Sequence, residues 1–295
     1  MLCRGKENAN FTISFPQQKA KSTAKLIIII GFCQYEVLVP IFFLGVYQKY
    51  DTLTIIVLSL LICAKNFHLM IKLTNVSKIY TTGTPALRNL NLHIGAGDFV
   101  SIVGQSGTGK TTLVKMLIAE EKPNKGTIEI GGWDITKISP SDVPFLRRQI
   151  GVVFQDYKLL PQRTVYENVA FALEVAGEKK QRIHQVVPQV LEIVGLSNKI
   201  SSYPFQLSGG EQQRTAIARS LVHRPKIIVA DEPTGNLDSI NTEEVISILK
   251  KINEFGTTII LVTHNREVVN HLRRRVITLH GGEIINDEND GKYKL

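Results

Sequence analysis

Apolar and polar positions alternate at three places in this chain, Ile71 to Val76, Leu90 to Ile94 and Thr127 to Ile130, with the period of half-buried strands. Elsewhere the apolar runs are unbroken. Phe99 to Val103, Ile227 to Ala230 and Thr257 to Thr263 are apolar or β-branched throughout, the pattern of strands covered on both faces. Helical periods separate these strands; Glu243 to Phe255, for example, sets Val245, Ile248, Leu249 and Ile252 on one face. Between Arg147 and Pro225 the helical period dominates, which predicts a helical insertion over about 147–225 in a mixed α/β fold. Pro188 falls inside that stretch, and since a proline within a helix costs about 3 kcal/mol it predicts a kink or a fresh helix start. Gly281-Gly282 between Val276–His280 and Glu283–Ile285 predicts a hairpin. The polar tail, 286–295, is expected to fray.

The pattern changes near Met70. Before it lie Leu26 to Tyr47, apolar almost throughout and long enough to span a bilayer, and Leu53 to Cys63, which is too short to do so untilted. Glu36 near the middle of the longer run would cost about 2.5–3.5 kcal/mol in a membrane. Lys19, Lys21 and Lys25 ahead of Leu26-Ile-Ile-Ile-Ile30 suit a signal peptide, but export would separate the chemistry described below from its nucleotide. Bulky Phe32 before Cys33 does not suit a lipoprotein signal. Two readings of 1–69 therefore stand side by side. One is a membrane anchor, and the other is a mis-set start, with Met70-Ile-Lys-Leu-Thr as the natural beginning. All three cysteines, Cys3, Cys33 and Cys63, lie in this segment, so neither a disulfide framework nor a zinc cluster is expected in the remainder.

Net charge is +9, but residues 1–69 hold seven Lys/Arg against three acids, leaving about +5 spread with both signs over the rest. No nucleic-acid partner is expected on that basis.

Three strings carry chemistry. Gly104-Gln-Ser-Gly-Thr-Gly-Lys110-Thr111 lies between a buried strand and a helix, the context of a phosphate-binding P-loop. Gly104, Gly107 and Gly109 let backbone N–H groups wrap phosphates, with Gln105, Ser106, Thr108 and Thr112 completing the loop and helix start. Lys110 is placed for the β- and γ-phosphates of ATP and Thr111 for Mg²⁺. Asp231 and Glu232 end the second buried strand, where Asp231 suits a metal ligand and Glu232 a residue that orients the attacking water. The third string, Leu207-Ser-Gly-Gly-Glu-Gln-Gln213, is a glycine turn opening a helix.

Taken together, residues 70 to about 285 resemble an ABC-type ATPase, because Leu207-Ser-Gly-Gly-Glu-Gln-Gln213 matches the signature that separates that family from other P-loop proteins. The resemblance implies a P-loop fold with a RecA-like core, an antiparallel β part and a helical insertion. It implies a homodimer in which Ser208, Gly209 and Gly210 meet the nucleotide of the opposite protomer, with Asp238 in the loop that contacts it. His264 resembles the switch histidine, Gln155 the glutamine that touches Mg²⁺, and Tyr80 the aromatic residue that stacks on adenine. Val143-Pro-Phe-Leu-Arg-Arg-Gln-Ile-Gly151 and Arg163-Thr-Val-Tyr-Glu-Asn-Val169 look most like the family's cell-division members. Those members imply a place on the cytoplasmic face of the bacterial plasma membrane, peripheral to a membrane subunit through which cell-wall hydrolysis is regulated. That subunit is expected to dock on Asp156 to Glu167, with Tyr157, Leu159, Leu160 and Pro161 exposed as apolar contacts beside Arg163, the alternative being that these residues pack within the insertion. The alternative within the class is a lipoprotein-release or macrolide-export ATPase. A regulator acting on ribosomes or DNA is disfavoured, since the chain carries a single signature.

Overall fold

The computed structural model describes residues 69–80 and 83–293. The apolar runs Leu26–Tyr47 and Leu53–Cys63 and the three cysteines lie outside them. Among the described residues no helix is long and apolar enough to cross a membrane.

Among the described residues, ten strands form two sheets. β1 (Leu69–Ile79), β2 (Pro85–Gly95), β4 (Lys125–Ile130) and β5 (Trp133–Asp134) make an antiparallel sheet in the order β2-β1-β4-β5. The second sheet runs β10-β9-β3-β8-β7-β6, built from β3 (Phe99–Val103), β6 (Ile150–Val153), β7 (Ile227–Asp231), β8 (Thr258–Val262), β9 (Arg275–His280) and β10 (Glu283–Glu288). It is parallel from β9 to β6, and β10 folds back antiparallel on β9. Helices α1 (Lys110–Leu117), α2 (Val143–Gln149), α3 (Val165–Val175), α4 (Lys180–Ile193), α5 (Gly209–Leu221), α6 (Ser239–Glu254) and α7 (Arg266–Leu272) surround it.

The unbroken apolar runs follow from this layering. Ile228 and Ala230 of β7, with Ile259 and Leu261 of β8, face a core shared with α3, α4, α5 and α6. Ile227, Val229, Ile260 and Val262 point the other way, into a core shared with α1 and the antiparallel sheet. Both faces are dry, so neither parity of the strand can be polar; each such side chain contributes about 1.5–3 kcal/mol by burial.

Three expectations require correction. Of the two outcomes expected at Pro188, a fresh helix start is not found: α4 runs continuously from Lys180 to Ile193, with Pro188 exposed and Ile183, Val187, Val190 and Leu191 buried. Packing of that apolar face outweighs the lost backbone bond. Within 147–225, Ile150–Val153 is no part of a helical insertion but an edge strand of the main sheet, pairing with β7. Its four residues are too few to show a period. The tail does not fray at Asn286, since β10 continues to Glu288, Gly291 N–H donates to the Arg274 carbonyl at 3.1 Å, and Tyr293 packs against Val103, Val269 and Val276.

Candidate functional site

Parallel registry brings four strand ends to one edge. Ile102 pairs with Val262, Asp231 with Val262, and Val153 with Ala230, so the chain leaves β3, β8, β7 and β6 side by side. Gly104, Thr263–His264, Asp231–Glu232 and Phe154–Gln155 follow immediately, at the carboxyl edge where open parallel sheets bind ligands.

The first loop is wound by its glycines. Gly104, Gly107 and Gly109 have φ of 155°, 80° and 101°. At Gly109, the residue before α1, a side chain would also overlap the carbonyl of Ala86 in β2, so only glycine fits there. Thr108 Oγ1 donates to the Gln105 carbonyl at 2.9 Å, closing the loop on itself. Lys110 is buried and its Nζ donates to the carbonyls of Gly104 (2.7 Å) and Gln105 (2.9 Å). Burial lowers the pKa of this ammonium, while the charges of Glu232 and Asp231 raise it. Thr111 is exposed at the helix start, and Thr112 Oγ1 lies 3.3 Å from the hydroxyl of Tyr80. The ammonium of Lys78 sits 5.3 Å from the centre of the Tyr80 ring.

Asp231 is half-buried, and burial followed by the charge of Glu232 holds its carboxyl above the usual carboxylate range, against the opposing pull of Lys110 and Lys158. Glu232 takes a left-handed backbone, φ 50°, with its N–H bonded to the Val262 carbonyl at 2.8 Å. That turn swings its side chain across the edge to β8, where Thr263 Oγ1 donates to Oε2 at 3.2 Å and His264 Nδ1 lies 2.7 Å from Oε1. Gln155 is exposed; its amide reaches Asn236 Oδ1 at 3.4 Å and abuts Gly235.

The glycine turn stands apart. Ser208 caps α5 through a reciprocal pair with Glu211: Ser208 N–H donates to Oε2 at 2.8 Å, and Glu211 N–H to Ser208 Oγ at 3.2 Å. Gly210 is buried against Asn241, whose N–H and side-chain amide each donate to Asp238 at 2.8 Å. Those bonds hold the Asp238 carboxyl below its usual range. Among the described residues, no hydrogen bond or ion pair joins Ser208, Gly209 or Gly210 to Lys110 within one chain. The predicted residues thus fall into two groups. Lys110, Asp231, Glu232, His264 and Gln155 share one edge, while Ser208–Gly210 and Asp238 form a second.

Three oxygen donors, in the segments that follow β3 and β6 and at β7's own end, suit a hard cation. Thr111 offers a hydroxyl, Gln155 an amide and Asp231 a carboxylate, all oxygen ligands with no thiolate or imidazole. No group of three or more His, Cys, Asp and Glu gathers among the described residues. A sparse oxygen set of this kind suits Mg²⁺, which keeps waters and substrate phosphates in its shell.

Sequence reasoning missed several residues that organise the site. Asn241 ties Asp238 to Gly210, and Thr263 holds Glu232. Asn168 is fully buried: its carbonyl accepts from Leu160 N–H at 2.8 Å, and its amide donates to the carbonyls of Leu160, Arg163 and Thr164 at 2.9–3.1 Å. The only advance signal was its place one residue past the Thr164–Glu167 cap. The expected docking stretch is also less open than its composition suggests, because Tyr157, Leu159 and Leu160 are half-buried and only Pro161 among the four is exposed. The Asn168 bonds fix the backbone of Leu160.

Comparison with known proteins matches residues 87–235 to the family described as ABC transporter. The cell division ATP-binding protein FtsE of Streptococcus pneumoniae is 50% identical over 224 residues, covering 76% of this chain and 97% of that protein. FtsE of Bacillus subtilis is 51% identical over 224 residues, covering 76% and 98%. Among solved structures, a dimeric post-hydrolysis state of the ATP-binding cassette MJ0796, bound to ADP and Pi, aligns with a TM-score of 0.69 at 37% identity, covering 76% of this chain and all of that one.

Proposed function

The chain belongs to the ABC transporter family and hydrolyses ATP, and on that premise we propose that it is the ATPase of an FtsE–FtsX-like complex acting in cell division. In this reading two copies close around two ATP molecules, and the closing and reopening pull on an FtsX-like membrane subunit that regulates cell-wall hydrolysis. The ATPase sits on the cytoplasmic face of the bacterial plasma membrane, peripheral to its partner.

One observation carries the chemical part: four strand ends gather Lys110, Gln155, Asp231, Glu232 and His264 at one edge, and among the described residues no hydrogen bond or ion pair joins Ser208–Gly210 to Lys110. In the post-hydrolysis structure of MJ0796 the cassette is dimeric, which supports a second copy supplying the missing half. Backbone N–H groups between Gly104 and Lys110 bind the phosphates at the start of α1, and Lys110 exchanges its two loop carbonyls for phosphate oxygens. Thr111, Gln155 and Asp231 would hold Mg²⁺, which neutralises charge developing on the phosphates. Glu232 orients the attacking water, and His264, bonded to it, fixes the direction of the carboxylate. The ring of Tyr80 would cover adenine.

The division role rests on the likeness to FtsE proteins along nearly their whole length. It is tested by co-expressing the chain with the FtsX-like protein and isolating the pair. Leu159→Asp, at the half-buried docking stretch, is expected to abolish co-purification and block septation while basal ATP hydrolysis persists. Normal septation in cells lacking the protein would overturn the division role and favour the lipoprotein-release or macrolide-export reading.

A further inference from the structure

Arg219 lies in α5, the helix that the Ser208 cap opens, and its guanidinium is turned inward toward the segment that carries Gln155. Nη1 donates to the carbonyl of Lys158 at 2.6 Å and Nη2 to the carbonyl of Tyr157 at 2.8 Å. These two carbonyls belong to consecutive residues with left-handed backbone, φ 54° and 49°, a conformation that side chains other than glycine rarely adopt. The turn is therefore held from outside, and a planar fork of donors suits two adjacent carbonyls better than a single ammonium could. Tyr157 also runs along the helix toward its beginning: its hydroxyl lies 3.1 Å from where a Cβ on Gly209 would stand. At the other end of the turn, the Lys158 ammonium sits 3.8 Å from the centre of the Phe154 ring, one residue before Gln155. The bend from Phe154 to Lys158 thus meets α5 near both ends of that helix, at Arg219 and at Gly209.

We propose that Arg219 is a positioning residue which fixes Gln155 through the backbone of Tyr157 and Lys158, and so carries the state of Ser208–Gly210 to the chain's own Gln155. Because Ser208–Gly210 face the second copy's nucleotide in the reading given above, on which this inference rests, the link makes one protomer's metal-side glutamine respond to the other protomer's ATP. Arg219 touches neither substrate nor metal. It acts by clamping a turn that α5 moves as it moves.

The full chain carrying Arg219→Lys tests this, because lysine keeps the charge and the stem but not the fork. Hydrogen exchange at amides 155–160 is expected to quicken tenfold or more, with exchange across α5 and the sheet unchanged. Affinity for a fluorescent ATP analogue without Mg²⁺ should stay within twofold, while kcat falls at least tenfold and half-saturation by Mg²⁺ rises. Unchanged exchange at 155–160 overturns the proposal, as does exchange that quickens equally throughout α5 and the core, which marks a merely structural role. Should the variant not fold, the wild-type chain decides. Protection of 155–160 by Mg·ATP must then depend on protein concentration, and protection that is independent of concentration overturns the relay. A wild-type chain that does not pair or hydrolyse in the same assay sinks the functional reading itself, which separates the two failures.

Discussion

His264 Nδ1 lies 2.7 Å from Oε1 of Glu232, joining the residue that follows β7 to the second residue after β8 across the edge of the sheet. The left-handed turn at Glu232 makes the contact possible, and Thr263 Oγ1 completes the grip at 3.2 Å.

From this pair, Glu232→Gln is expected to lower hydrolysis about a hundredfold or more, as loss of a residue that orients water would, while ATP binding survives. The variant should accumulate a closed dimer with Mg·ATP, seen by size-exclusion chromatography. His264→Ala should lower hydrolysis with less effect on binding. A monomeric Glu232→Gln protein with normal turnover would remove Glu232 from the role.

Gly210→Ala separates nucleotide binding from pairing. Its new Cβ would overlap the Asn241 side chain, displacing the residue that donates twice to Asp238, at about 1–3 kcal/mol of overpacking. Isothermal titration should find ATP affinity at the Lys110 loop unchanged and light scattering should find no ATP-driven dimer. Dimerisation at wild-type level would show that this glycine is not at the interface.

Asn168→Ala should destabilise the chain by about 2–4 kcal/mol in urea, since it strands the Leu160 N–H and the Arg163 carbonyl and leaves the Leu160 and Thr164 carbonyls with only their backbone donors around a buried position. A loss under 0.5 kcal/mol would mean that water replaces the amide.

The cap at Ser208 predicts a pH dependence. Hydrogen bonding from the Ser208 backbone, helped by Lys199 3.2 Å away and opposed by partial burial, holds the Glu211 carboxyl below its usual range. Its stabilisation is therefore present above the ordinary carboxylate pKa and is lost as pH falls through the lowered folded value. Glu211→Gln should lower Tm at pH 7, by the equivalent of about 1 kcal/mol for a weakened cap, and the difference should shrink toward pH 3. A difference that stays constant between those pH values would assign the effect to packing.

The buried strands were legible because runs such as Ile227 to Ala230 are too apolar to face water on either side, and the P-loop because its glycines, lysine and threonine stand at fixed spacing. β6 was not, as four residues hold no period and the helical stretch around them dominates. Pro188 starts no new helix because the packing of Ile183, Val187 and Leu191 outweighs the local rule. Arg219, Asn168 and Asn241 were invisible for a different reason. Their partners are carbonyls and caps whose position depends on tertiary structure, and a hydrogen bond to a backbone atom leaves no trace in residue type.

The order β10-β9-β3-β8-β7-β6 also sets a schedule. β3, which leads into the Lys110 loop, has β8 and β9 as its only neighbours in the sheet, and Val100 pairs with Arg275. On a ribosome adding about 5–20 residues per second, β3 waits roughly ten to thirty seconds for those partners. A nascent chain stopped before Thr258 carries the whole phosphate-binding string yet lacks both sheet neighbours of β3, so nucleotide binding is expected only near the end of synthesis. Until then the Phe99–Val103 run has neither of its sheet neighbours to cover it, and a chaperone that recognises short apolar strands is expected to occupy it during that interval.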